Sequence, residues 1–220
     1  MNKPIIFCDF DGTITNTDNI IAIMKKFAPS GWEKIKDQVL TQEIPIQEGV
    51  SKMFSLLPSD WRGEITEYIL NHAEIREGFK EFVAYTKEQG IQLYIVSGGI
   101  DFFVEPLLEG LIAKEQIYCN KSDFSNEKIK ILWPYTCDDE CTNECGCCKP
   151  SLIRKLTNQD EYKIVIGDSI TDLQAAKHAD KVIARDFLIE KCEELGIEYS
   201  PFHSFFDVIE ILKKEVVSNA

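Results

Sequence analysis

Pro4-Ile5-Ile6-Phe7-Cys8-Asp9-Phe10-Asp11-Gly12-Thr13 is the stretch that decides the fold: a short apolar run that ends in two acids and a glycine. The apolar residues predict a strand buried on both faces, the kind found inside parallel sheets. If the chain stays extended, Asp9 and Asp11 point the same way, and Gly12 then permits a sharp turn. Two carboxylates would stand at the carboxyl end of a strand, where open α/β sheets bind their ligands. Asp-x-Asp-Gly is also a common turn sequence, so the other strand ends carry the argument forward.

Three further runs have the same character: IQLYIVSG at 91–98, YKIVIGD at 162–168 and KVIARD at 181–186. Helix-like stretches separate them. In Gly78 to Gln89, the residues Phe79, Phe82, Val83 and Tyr85 fall largely on one face, and Gly90 follows as a C-cap. Strand alternating with helix predicts an α/β fold with a doubly wound, Rossmann-like parallel sheet. The first two strands are too far apart for a simple crossover, and the intervening segment has helical periodicity punctuated by Pro29, Pro45 and Pro58. The expected organisation is a catalytic core of residues 1–15 and 76–220, with a small helical cap, 16–75, inserted after the first strand. Two β-like runs within 117–136 predict a hairpin.

The chain has 220 residues, 44% of them hydrophobic and 28% charged, values of a folded globular protein rather than a disordered one. Its net charge of −13 argues against nucleic acid or an anionic membrane surface as partner. Residues 16–73 hold eight acids and six bases, a net of −2, so −11 falls on the rest. A cap of that charge repels an anionic substrate little. The sequence offers no apolar run of membrane-spanning length and no secretory signal, and eight cysteines in a chain of this size read as reduced thiols. A cytoplasmic location is expected, while the oligomeric state is not legible.

Chemistry-bearing residues stand at the other strand ends too. Ser97-Gly98-Gly99 offers a hydroxyl and backbone that an anion can approach closely. Gly167-Asp168-Ser169-Ile170-Thr171-Asp172 sets two carboxylates four residues apart at a helix entrance, hard oxygen ligands suited to Mg²⁺. Lys149-Pro150 precedes another helical run, with proline expected at the first helical position and the lysine aimed at the same sheet edge. The set suits hydrolysis of a phosphate monoester. That reaction is extremely slow in water and benefits from charge neutralisation and a covalent split into two steps. Asp9 would be the nucleophile, with Mg²⁺ and Lys149 offsetting the repulsion between carboxylate and phosphate. Asp11 would protonate the leaving alkoxide and then deprotonate the attacking water.

DFDGT, SGG, a lysine and GDSITD together resemble the four-motif signature of the haloacid dehalogenase superfamily of phosphatases, over residues 9–172. The resemblance implies Asp9 as nucleophile and metal ligand. It makes Asp11 the acid/base and a metal ligand through its backbone carbonyl. Asp168 is then a metal ligand, and Asp172 a direct or outer-shell one. Ser97, Gly98 and Lys149 would hold the phosphoryl group, Mg²⁺ would be the cofactor, and the cap would be of the phosphoserine phosphatase kind. DFDGTITNTDNI, SGGIDFFVEPLLEG, CTNECGCCKP and GDSITDLQAAKHAD narrow the likeness to one small-molecule phosphatase within the superfamily. The implied partner is a small phosphate monoester. Phosphoserine or pyridoxal phosphate are alternative substrates, and a receiver-like phosphate-accepting module is the alternative of another class.

Substrate clues are fewer. A phosphoserine site would want an arginine for the amino-acid carboxylate, and the cap offers only Arg62, beside Trp61. Ile20, Ile21, Ile23, Met24, Phe27, Met53 and Phe54 read first as the cap's own core, with some available as an apolar wall for a substrate tail. Cys137, Cys141, Cys145, Cys147 and Cys148 crowd one segment, with Cys119 upstream. The spacing C-x₃-C-x₃-C-x-C is compatible with a structural Zn²⁺, while Asp138, Asp139, Glu140 and Glu144 would raise the thiol pKa values. Structural zinc, free or redox-labile thiols and disulfides all stay open. Cys8 and Cys192 read as packing residues.

Overall fold

The computed structural model describes residues 4–218. The first strand, β1, is Ile5–Cys8, and all four of its residues are buried. The chain then turns at once: Gly12 has φ +79°, and a side chain there would collide with the Asp168 carboxylate. Four α-helices follow before α5 (Phe79–Gln89), which leads into the next strand: α1 Asn19–Phe27, α2 Trp32–Leu40, α3 Ile46–Phe54 and α4 Arg62–His72. Asp18 caps α1, its side chain accepting from the Ile21 N–H. The outgoing and returning chains lie side by side, because Thr15 bridges Ile75 antiparallel and the Arg76 N–H donates to the Ile14 carbonyl at 2.7 Å.

The remaining elements alternate. Helix α5 (Phe79–Gln89) leads to β2 (Gln92–Ile100), α6 (Asp101–Leu107), β3 (Ile117–Asp123) and β4 (Lys130–Leu132). Then come α7 (Lys149–Leu156), β5 (Lys163–Gly167), α8 (Ile170–Ala176), β6 (Lys181–Ala184), α9 (Asp186–Leu195), β7 (Tyr199–Pro201) and α10 (Phe205–Ser218). The sheet order is β4-β3-β2-β1-β5-β6-β7, parallel except for the antiparallel β3–β4 hairpin. The chain winds outward from β1 in one direction and then returns to its other side. That makes the β2-β1-β5 edge the switch point where a crevice opens.

The expected doubly wound α/β sheet is present, and α5 starts and stops at Gly78 and Gly90, both left-handed. Several details differ from the sequence reading. Strand β2 does not end at Ser97 but runs on through Ile100, and its pairing with β3 slips between Val96 and Ile100. Glycines there let the strand bend without leaving the sheet. Lys149, not Pro150, opens α7, with Cys148 as its N-cap. Strand β7 has no apolar run to announce it, since Tyr199-Ser200-Pro201 is a short edge strand.

One apolar cluster runs from the sheet into the inserted helices, joining Ile6, Ile95 and Phe103 to Ile23, Met24, Met53, Phe54 and Ile69. Phe54 meets Phe102 of α6 edge to face at 6.1 Å. The β3–β4 loop also binds the insert through backbone: the Ser59 N–H donates to Glu127 O at 2.9 Å and the Ile129 N–H to Leu57 O at 3.1 Å. Among the described residues, no helix is long and apolar enough to cross a membrane.

Candidate active site

Parallel pairing brings the three strand ends together. Cys8 is in register with Ile95 of β2 and Ile166 of β5, and the Asp9 N–H donates to Ile166 O at 2.9 Å. Asp9 and Asp168 therefore emerge side by side from adjacent strands. Asp172 joins them from the first turn of α8, where it completes a capping box with Ser169. One carboxylate oxygen from each of Asp9, Asp168 and Asp172 lies within 4.8 Å of the others.

Lys149 is the cation of this cluster. Its Nζ sits 2.7 Å from Asp9 Oδ1 and 2.5 Å from Asp172 Oδ1, and all three side chains are almost fully buried. Asp172 is committed on both sides: its other oxygen accepts from the Asp168 and Ser169 N–H groups at 3.2 and 3.1 Å. It therefore acts chiefly as an anchor for Lys149 and the loop after β5. Burial works against the Lys149 ammonium, but Asp172 and Asp9 outweigh it and hold its pKa above the usual lysine value. Burial, and then the charge of Asp172, pushes the Asp9 carboxyl well up. The same two causes push Asp168 up to about 7. Three carboxylates, two buried and that of Asp168 half-buried, against one ammonium leave excess negative charge on hard oxygen atoms. That donor set fits a hard divalent cation held by Asp9 and Asp168.

Asp11 does not point where Asp9 does. The chain leaves the extended conformation after Cys8, and the Asp11 carboxylate turns toward the insert. There its Oδ1 accepts from the Asn19 N–H at 3.0 Å and Asn19 Nδ2 at 2.7 Å. Burial, and then repulsion from Asp18, pushes Asp11 up to about 7. A carboxyl that titrates near neutrality can both give and take a proton. Ser97 and Gly99 lie beside it: a Cβ on Gly99 would come within 2.7 Å of Asp11 Oδ2 and 3.0 Å of Ser97 Oγ. The Ser97 hydroxyl accepts from the Gly99 N–H at 2.8 Å, and Gly98, at the exposed crest, has its carbonyl held by Asn120 Nδ2 at 2.8 Å.

Sequence reasoning missed four residues that hold this arrangement. Thr13, fully buried, donates from Oγ1 to Asp168 Oδ1 at 2.7 Å. Asn19 orients Asp11. Arg76 donates to the carbonyls of Gly12 and Thr13, each at 2.7 Å, and to that of Thr15 at 3.2 Å, clamping the turn from below. Asn120 supports Gly98. Thr13 stood within the quoted motif and Asn19 just after it, but nothing local marks Arg76 or Asn120.

Two further expectations need correction. Arg62, the cap's one arginine, lies not against its sequence neighbour Trp61 but with its guanidinium over the Phe124 ring, 4.9 Å from the centroid. Of the five clustered cysteines, Cys137, Cys141, Cys145 and Cys148 come together, whereas Cys147 does not. Neighbours in an extended segment face opposite ways. Cys147 turns into the apolar layer with Ile5, Phe7 and Val96, and Cys148 takes the place the spacing had given it. All eight cysteines are free. The foremost influences on these thiols are not the nearby acids: burial pushes Cys137 up and the Cys145 side chain leads the interactions that lower Cys148 to about 5, while the Arg154 guanidinium holds Asp138 down to about 2.

A switch-point crevice lined by paired aspartates, a serine-glycine strand end and a buried lysine belongs with the haloacid dehalogenase-like hydrolases, and the chain is a member of that family, matching it over residues 6–177. It is 64% identical over 210 residues to the 2-hydroxy-3-keto-5-methylthiopentenyl-1-phosphate phosphatase of Geobacillus kaustophilus (strain HTA426), covering 96% of each chain. It is 62% identical over 215 residues to the protein of the same name from Geobacillus thermodenitrificans (strain NG80-2), covering 97% of this chain and 98% of that one. Among solved structures it resembles a substrate-bound phosphoserine phosphatase complex, with a TM-score of 0.73 at 20% identity, covering 96% of this chain and 99% of the other. At that identity the likeness concerns the fold.

Proposed function

We propose that this chain is a Mg²⁺-dependent phosphomonoesterase that dephosphorylates 2-hydroxy-3-keto-5-methylthiopentenyl-1-phosphate to 1,2-dihydroxy-3-keto-5-methylthiopentene in methionine salvage. The observation that carries the reaction class is the Lys149–Asp9 contact beside Asp168 at the switch point. The named substrate rests on relatives 60% identical or more that match nearly the whole chain. A receiver-like module fits less well, because the chain belongs to a hydrolase family and carries four helices between β1 and α5. The eight unbridged cysteines accord with a reducing, cytoplasmic compartment.

In this reading, Asp9 attacks phosphorus as the ester P–O bond breaks, leaving phosphate on its carboxylate. Asp11 gives its proton to the leaving oxygen. Asp11 then takes a proton from water, which attacks the same phosphorus and releases inorganic phosphate and a free Asp9. Lys149 offsets the negative charge of both reacting groups, and Ser97 with the Gly98 backbone receives phosphoryl oxygens. Asp9, Asp168 and the backbone carbonyl of Asp11 would hold Mg²⁺, with Asp172 in the outer shell. Bound there, the cation neutralises the charge that builds on the phosphoryl group. Residues 16–75 act as the cap over the core of 1–15 and 76–220, excluding water from the first step.

Rates on the named ester, phosphoserine and pyridoxal phosphate, measured with and without Mg²⁺, test the proposal. The named ester should be turned over at least about tenfold more efficiently than the other two. Preference for phosphoserine would overturn the substrate but not the chemistry. Substantial turnover by Asp9→Asn would overturn the covalent mechanism.

A further inference from the structure

Outside the crevice, the densest group of chemically able side chains is the cysteine quartet in the loop before α7. We infer that Cys137, Cys141, Cys145 and Cys148 form a tetrathiolate site for one structural Zn²⁺, which fixes the loop that delivers Lys149. All four sulfur atoms lie within 4.8 Å of one another, and Cys141 and Cys145 are 3.7 Å apart. A tetrahedral zinc with Zn–S bonds of about 2.3 Å sets sulfurs about 3.8 Å apart, whereas a disulfide needs about 2.05 Å. Neither pairwise bridges nor a lone reactive thiol calls for four sulfurs gathered around one centre.

The surroundings supply what thiolate ligands need. The Cys145 N–H points to Cys137 Sγ at 3.5 Å, and the Ser151 hydroxyl donates to Cys148 Sγ at 3.0 Å. Donors of this kind orient metal-bound sulfur and take up part of its charge. Arg154 grips Asp138 with Nε–Oδ2 at 2.8 Å, and the Asp138 N–H donates to Ser151 Oγ at 3.0 Å, so the start of the loop is tied to α7. Glu144 and Gly146 both adopt positive φ, +49° and +53°, which folds the chain tightly enough to bring Cys145 and Cys148 to the same centre. A Cβ on Gly146 would sit 2.8 Å from the Trp133 ring, so the loop has little room for another path.

The site is separate from the carboxylate cluster but mechanically joined to it. Cys148 caps α7, and the next residue, Lys149, reaches Asp9 and Asp172. Binding exchanges Zn²⁺ for the thiol protons still present, so no oxidant or reductant is needed. The zinc has no part in phosphoryl transfer. Its task is to hold a loop with few apolar side chains in one shape.

The test is metal analysis of protein purified under reducing conditions without added metal. About one zinc per chain is expected. A mercurial thiol reagent should release it to a chromogenic chelator, and Cys147→Ser and Asp168→Asn should retain it, which separates this site from the carboxylates. Cys141→Ser should lose most of the zinc. Should that variant not fold, Co²⁺ exchanged into the unaltered protein should give thiolate-to-cobalt charge-transfer absorption and the d–d bands of a tetrahedral site. Less than about a tenth of an equivalent of zinc, with no cobalt bands in reduced protein, would overturn the inference, as would stoichiometric iron. Loss of zinc from Asp168→Asn but not after thiol modification would assign the metal elsewhere and also overturn it.

Discussion

The Thr13 hydroxyl donates a 2.7 Å hydrogen bond to Asp168 Oδ1, joining the turn after β1 to the loop after β5 across 155 positions of sequence. The bond holds one carboxylate oxygen in place and favours its ionised form. Thr13→Val keeps the side chain's shape and deletes the donor. Groups that orient a ligand typically affect metal affinity by about 10- to 100-fold, so half-maximal activation should require about tenfold more Mg²⁺ or more. Activity titrated against Mg²⁺ measures this, and an unchanged midpoint would contradict it.

Asn19 gives Asp11 two hydrogen bonds, both to the carboxylate oxygen Oδ1. Only the side-chain bond is lost in Asn19→Ala. That bond favours the charged form, so its removal should raise the Asp11 pKa above about 7. The corresponding limb of the pH–rate profile should move to higher pH, with a fall in kcat of about tenfold. A fall in kcat with no movement of the profile would point to a purely structural role.

Lys149 is the ammonium held between buried Asp9 and Asp172. Lys149→Met leaves two carboxylates without their partner, and breaking a buried pair in this way costs about 3–5 kcal/mol. Urea unfolding should show that loss, and phosphatase activity should disappear. In the double variant Lys149→Met/Asp172→Asn, part of the stability should return without activity.

The carboxyls of Asp11 and Asp168 titrate near 7 in the folded chain, above the value of about 4 in an unfolded one. Between those values the folded state binds more protons, so the contribution of these groups is complete below about pH 4 and is lost as pH rises through about 7. In EDTA, the melting temperature should therefore fall between about pH 5 and about pH 7.5. Mg²⁺ should raise it most at the upper end. Asp168→Asn should flatten the slope, and a slope equal to the unsubstituted protein's would refute this account.

Apart from β7, the strands, their order of appearance and the three acid- or serine-bearing motifs were legible because each is written in a handful of adjacent residues, although β2 runs on past Ser97 to Ile100. An apolar run, a polar exit and a glycine suffice for each. The cysteine segment was legible only as a cluster. Its spacing favoured Cys147, but the extended backbone at the entrance to α7 sends Cys147 into the apolar layer and Cys148 to the quartet. Strand β7 gave no signal, because an edge strand of three residues needs no apolar pattern of its own.

Sequence by itself determined that acids, a serine and a lysine would meet at one edge of a doubly wound sheet, since parallel strands put their carboxyl ends on the same side. Only the tertiary structure decided how those groups are divided. Asp9 and Asp168 share a site, Asp172 anchors Lys149, and Asp11 is drawn aside by Asn19 of the inserted helices. Arg76, reaching back 64 positions to the Gly12 carbonyl, locks the turn on which all of this depends. Hydrogen bonds of that span follow from topology rather than local pattern, and so no window of neighbouring residues contains them.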